Sequence, residues 1–112
     1  MGRFIMKKDF FKKYQSVYFI GIGGISMSGL AEILNSKGFK VSGTDMKEST
    51  ETEHLRRIGI KVNIGHRAEN ITDDIQLVIY TAAIKQDNPE LIAAKQKNIP
   101  TIDRAHLLGM IM

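Results

Sequence analysis

Apolar positions along this chain alternate between short unbroken runs and stretches with helical spacing. Val17, Tyr18, Phe19 and Ile20 form a run that reads as a buried first strand over residues 17–21. Ile25, Met27, Leu30, Ala31, Ile33 and Leu34 then recur at helical spacing. Lys37 and Gly38 supply a cation and a glycine where a helix stops. Residues 39–44 predict a second strand. Ser49, Thr50, Glu51, Thr52 and Glu53 are capping and first-turn residue types, so a second helix is expected through Leu55 and Ile58 to Gly59. A short third strand over 60–64 ends at Gly65, and the run from Ile75 to Tyr80 predicts a fourth strand covered on both faces. After Asp87 and Asn88, Pro89 sits in a first turn, where its missing N–H costs nothing, and opens a helix through Ile92 and Ala93 to Lys97. Residues 99–102 give a fifth strand and 104–112 a last helix. The alternation predicts an α/β fold, a Rossmann-like open parallel sheet of about five strands with helices on both faces.

Composition narrows the class without naming a function. At 112 residues, with 43% hydrophobic and 25% charged, the chain is one ordinary globular domain with a sizeable core. It has no cysteine, which excludes disulfides, thiolate metal ligands and cysteine nucleophiles. That usage fits a reducing compartment, and a cytoplasmic location is expected. No histidines and carboxylates stand at metal-ligand spacing; His54 and His106 fall in helical stretches and read as surface residues.

The formal charge of +4 is confined to one end. Residues 1–15 hold Arg3, Lys7, Lys8, Lys12 and Lys13 against Asp9, whereas 16–112 balance at 11 basic and 11 acidic residues. A nucleic-acid face would spread basic residues over the folded surface, so no nucleic-acid partner is expected. The layout is a basic arm over 1–15, with Met6 as an alternative start, and a domain over 16–112. The arm and first apolar run are not a signal peptide, because Gly21, Gly23 and Gly24 interrupt the run. No stretch of about 18 apolar residues exists, so no membrane span is expected. The helical pattern is still open at Gly109, Met110 and Ile111, so the chain is expected to be a piece of something longer.

The candidate chemistry lies between the first strand and the first helix. Gly21, Gly23 and Gly24 let the backbone turn tightly and approach an anion closely, and the free N–H groups of the next helix point the same way. Such a loop binds a nucleotide diphosphate. In an open parallel sheet the ligand lies beyond the C-terminal strand ends. Those ends carry Asp45 after the second strand, His66 after the third, and Thr81, Ala82, Ala83 and Ile84 after the fourth. Asp45 follows Gly21 by 24 residues, close to the spacing at which an acid meets a ribose. A side chain at Gly23 is expected to block the ligand while leaving stability nearly intact. The pattern G-x-x-x-x-G-K-[ST] is absent, and no nucleophile–base arrangement is visible, so no catalytic residue is assigned.

The sequence Gly21 to Glu32, with Val41 to Asp45, Ile64 to His66, Glu69 and Asn70, Thr81 to Ile84, Asp87 to Leu91, Ile99 and Pro100, and Arg104 and Ala105, resembles the UDP-N-acetylmuramate–L-alanine ligases of the Mur ligase family. The resemblance covers residues 17–112 and only the first of the family's three domains. It implies that Gly21, Ile22, Gly23, Gly24, Ser26 and Met27 surround the diphosphate of UDP-N-acetylmuramate. It places Asp45 and His66 toward the uridine, with Thr81, Ala82, Ala83 and Ile84 lining the neighbouring strand end. It also implies a whole enzyme that uses ATP and magnesium to activate the muramyl carboxylate as an acyl phosphate for attack by alanine. The groups for that step would belong to an ATPase domain and a C-terminal domain of the same chain, so this portion would bind and not catalyse. Ser26 stands where many relatives have glycine, and Thr81 with Ala82 replaces a common serine pair.

Two other classes share a glycine loop. One is an NAD(P)-binding domain of a dehydrogenase; the other is a nucleotide-sensing regulatory module. Gly24 and the sequence Met27, Ser28, Gly29 fit the ligases better.

Overall fold

A computed structural model describes residues 13–111. Most of the basic arm and Met112 lie outside the described residues. Five strands, β1 (Ser16–Ile20), β2 (Lys40–Asp45), β3 (Lys61–Ile64), β4 (Leu77–Tyr80) and β5 (Thr101–Asp103), alternate with helices α1 (Ile25–Ser36), α2 (Thr50–Arg57), α3 (Pro89–Gln96) and α4 (Arg104–Ile111). All pairings are parallel and the order is β3-β2-β1-β4-β5. The Rossmann-like α/β sheet expected from the sequence is therefore present. Strand order reverses between β1 and β4, which opens a crevice at their C-terminal ends.

β1 is central and buried along its whole length. Its side chains alternate between two cores, as a pleated strand requires. Val17 and Phe19, with Val41, Leu77 and Ile79, pack beneath Leu30, Leu34, Leu55 and Leu107. Tyr18 and Ile20, with Val78, pack against Ile71, Ile75, Leu91 and Ala94 on the other face. Each fully buried large apolar side chain contributes about 1.5–3 kcal/mol. Among the described residues no helix is long and apolar enough to cross a membrane.

Some details differ from the sequence reading, and β5 begins at Thr101 and ends at Asp103 where residues 99–102 were expected. Ile75 and Gln76 stay outside β4, because Ile75 N–H closes a turn onto Thr72 O at 3.2 Å. A 3-10 turn at Ala68–Asn70 was not anticipated. Gly43, inside β2, has a packing reason. A Cβ there would stand 2.5 Å from Phe19 O and 2.9 Å from the Ile22 side chain. The absence of a side chain lets the loop after β1 fold over β2.

Candidate nucleotide-binding site

At the end of β1 the chain turns at Gly21, whose φ of +85° lies in the left-handed region that glycine tolerates. The turn hangs from β2: the N–H groups of Gly21 and Ile22 both donate to Thr44 O at 2.8 Å. Ile22 is fully buried, so its side chain belongs to the core and only its backbone faces the loop. Gly23 N–H donates to Asp45 Oδ2 at 2.8 Å, and Oδ1 of the same carboxylate accepts from Met46 N–H at 2.7 Å. A Cβ on Gly23 would stand 2.7 Å from Asp45 Oδ2 and 3.0 Å from Thr52 Cγ2. The expectation that a Gly23 side chain would leave the fold undisturbed is corrected by this contact, because the position is packed before any ligand arrives.

Gly24 is the N-cap of α1 and brings no side chain to it; the first turn holds no acid. The first helical bond runs from Ser28 N–H to Gly24 O at 2.7 Å. The N–H groups of Ile25, Ser26 and Met27 precede it, at the positive end of a 12-residue helix. The other helices are closed by side chains. Ser49 and Thr52 form a capping box on α2, Asn88 accepts from Glu90 and Leu91 N–H on α3, and Asp103 accepts from His106 N–H on α4. Among the described α-helices, α1 alone starts without a side-chain cap. Ser26 is exposed, whereas Met27 is buried and reaches the loop only through its backbone.

The remaining expected residues stand at the neighbouring strand ends. His66 follows β3, and Thr81, Ala82, Ala83 and Ile84 form a turn after β4 closed by Ile84 N–H on Thr81 O at 3.0 Å. Met46, Gly65, His66, Ala83, Ile84 and the segment from Asp87 to Pro89 line a groove of about 700 Å³. A second hollow of about 520 Å³ runs from Tyr80, Thr81 and Ala82 to Asp103, Arg104 and Ala105. The glycine loop, Asp45, His66 and the 81–84 turn thus share one edge of the sheet. His54 pairs with Glu32 at 2.9 Å on the surface, and His106 is exposed.

A buried polar cluster beneath this edge escaped the sequence reading. Glu90, fully buried, accepts from the Thr44 hydroxyl at 2.6 Å, from Arg67 N–H at 3.0 Å and from the Asn70 amide at 2.8 Å. Thr44 Oγ1 also lies 2.9 Å from His66 Nδ1. The Tyr18 hydroxyl is buried beside the cluster with no hydrogen-bond partner among the described residues. Burial, with Glu90 nearby, holds that phenol well above its usual pKa. Position 90 reads as an ordinary first-turn acid in the sequence; its burial depends on β2 and the 68–70 turn closing over it. No three His, Asp or Glu side chains among the described residues are grouped to hold a metal ion, so no magnesium site is assigned to them.

A parallel sheet in this order, with a glycine turn feeding an uncapped helix at its C-terminal strand ends, defines a Rossmann-like domain. The chain belongs to the Mur ligase family: residues 16–112 match the model described as "Mur ligase family, catalytic domain". It is 59% identical over 102 residues to a UDP-N-acetylmuramate–L-alanine ligase of Lachnoclostridium phytofermentans, covering 91% of this chain and 22% of that protein. It is 61% identical over 107 residues to the same ligase of Clostridium kluyveri, covering 96% of this chain and 23% of that protein. The crystal structure of UDP-N-acetylmuramate–alanine ligase from Thermotoga maritima superposes with a TM-score of 0.79 at 39% identity, over 82% of this chain and 21% of that one. The chain thus spans under a quarter of the length of the curated relatives it matches. These similarities do not favour the dehydrogenase or sensor alternatives.

Proposed function

We propose that this chain is the N-terminal, UDP-N-acetylmuramate-binding domain of a ligase that joins L-alanine to that sugar nucleotide in peptidoglycan synthesis. The observation that carries the reading is the uncapped N-terminus of α1 behind the glycine loop. The N–H groups of Ile25, Ser26 and Met27 and the helix dipole behind them, with no side chain capping them, suit a diphosphate. Gly21, Ile22, Gly23, Gly24, Ser26 and Met27 surround the diphosphate: the N–H groups of Ser26 and Met27 face it, while those of residues 21–24 are bonded within the protein and shape the loop. Asp45 and His66 lie toward the uridine, and the 81–84 turn walls the sugar side. The folded unit is residues 16–112, with residues 1–15 as a basic arm. In the whole ligase, ATP and magnesium act on further domains outside these 112 residues, and the reaction takes place in the cytoplasm. This portion binds substrate and has no catalytic group of its own.

Isothermal titration of the 112-residue chain with UDP-N-acetylmuramate, UDP and NADH tests the reading. Binding of both uridine nucleotides without NADH supports it; binding of NADH alone contradicts it.

A further inference from the structure

Glu90 lies in the first turn of α3, and three donors from two other parts of the chain, β2 and the 67–70 turn, converge on its carboxylate. Arg67 N–H and Asn70 Nδ2 can only donate, and both are aimed at Oε2, at 3.0 and 2.8 Å. The Thr44 hydroxyl donates to Oε1 at 2.6 Å. Thr44 has one proton, and Glu90 receives it. The Thr44 oxygen must therefore accept from its other neighbour, His66 Nδ1, at 2.9 Å. The same nitrogen stands 3.6 Å from Glu90 Oε1, so the carboxylate also favours a proton there. Neutral His66 then carries its lone pair on Nε2, which has no partner among the described residues. The ring is 11% exposed and borders the groove beside Met46, Ile84 and Pro89.

We propose that Glu90 and Thr44 are positioning residues that lock His66 in the Nδ1–H tautomer and present Nε2 to the groove as an acceptor for an N–H or O–H donor of the bound nucleotide. The identity of that ligand rests on the proposed function above; the lock does not. Without the lock, the imidazole would be free to place its proton on Nε2 and repel such a donor. Glu90 needs no contact with the ligand to have this effect.

The test is a long-range ¹H–¹⁵N correlation spectrum of the imidazoles in the 112-residue chain at a pH where His66 is neutral. Surface residues His54 and His106 serve as internal references. Wild-type protein is expected to show the Nδ1–H pattern at His66, a measurement that needs neither variant nor ligand. Thr44→Val removes the hydroxyl at nearly constant volume; it is expected to shift His66 toward the Nε2–H form and to weaken UDP-N-acetylmuramate about tenfold, one lost hydrogen bond. Thr44→Ser is expected to restore both. An Nε2–H pattern in the wild type overturns the lock, as does a tautomer unchanged in Thr44→Val. The expected tautomer in a protein that binds no UDP-sugar leaves the lock standing and overturns the nucleotide assignment alone.

Discussion

Gly23 donates its amide proton to the Asp45 carboxylate across 2.8 Å, tying the glycine loop to the end of β2 before any ligand is present. Asp45 sets the height of the loop over the sheet, and Gly23 has room for no side chain because that carboxylate fills the space.

Gly23→Ala places a methyl group 2.7 Å from Asp45 Oδ2. The loop must move, so a loss of about 1–2 kcal/mol in stability is expected, with at least a tenfold loss of UDP-N-acetylmuramate affinity. Urea unfolding and calorimetric titration of the variant check both; wild-type affinity would remove Gly23 from the site.

Asp45→Ala leaves the Gly23 and Met46 amides without their acceptor. Amide exchange at Gly23 is expected to speed by roughly fivefold, about 1 kcal/mol of local protection, and UDP is expected to weaken along with the full sugar nucleotide. Unchanged exchange at Gly23 would show that the loop holds its shape without β2.

Much of this arrangement is legible in the sequence, and the limits are physical. The apolar run ending at Tyr80 and the helical spacing of Met27, Leu30, Ala31 and Leu34 reflect burial on fixed faces, so pattern places β4 and α1, although Ile25 at the head of α1 is exposed. Gly21 stands in a glycine-rich turn whose positive φ a reader can anticipate. Gly43 is different: it is required by Phe19 O and Ile22, contacts made across the sheet and invisible along the chain. Glu90 and Asn70 are polar residues in short segments, and their role arises only when the 68–70 turn, β2 and α3 meet. Asp45 was legible by spacing, but its bond to the loop amide was not.

Replacing Glu90 by Ala removes the acceptor of the Arg67 N–H, of one Asn70 Nδ2 proton and of the buried Thr44 hydroxyl. A destabilisation of about 3 kcal/mol is expected, read by urea unfolding at neutral pH. A loss below about 1 kcal/mol would mean that the cluster rearranges or admits water easily.

Asp74 is one source of acid sensitivity. Its bond to the Lys40 ammonium at 2.7 Å, helped by the Thr72 hydroxyl, lowers its pKa from the usual 3.8 to about 2. A depressed carboxylate stabilises the fold above its unfolded pKa, and that contribution is lost as pH falls from about 4 through about 2. Both partners are at least half exposed, so the effect is small and screened by salt. The stability gap between wild type and Asp74→Asn is expected to close over that range; a gap independent of pH would show that the pair contributes nothing.

The binding of a sugar nucleotide at the uncapped end of α1 is tested most directly by following backbone amide signals of the labelled chain during titration with UDP-N-acetylmuramate and, separately, with NADH. Shifts are expected at Gly21, Gly23, Gly24, Ser26, Met27, Asp45 and His66 with the UDP-sugar and none with NADH. Shifts with NADH alone, or UDP-sugar shifts confined to residues away from the glycine loop, would contradict it.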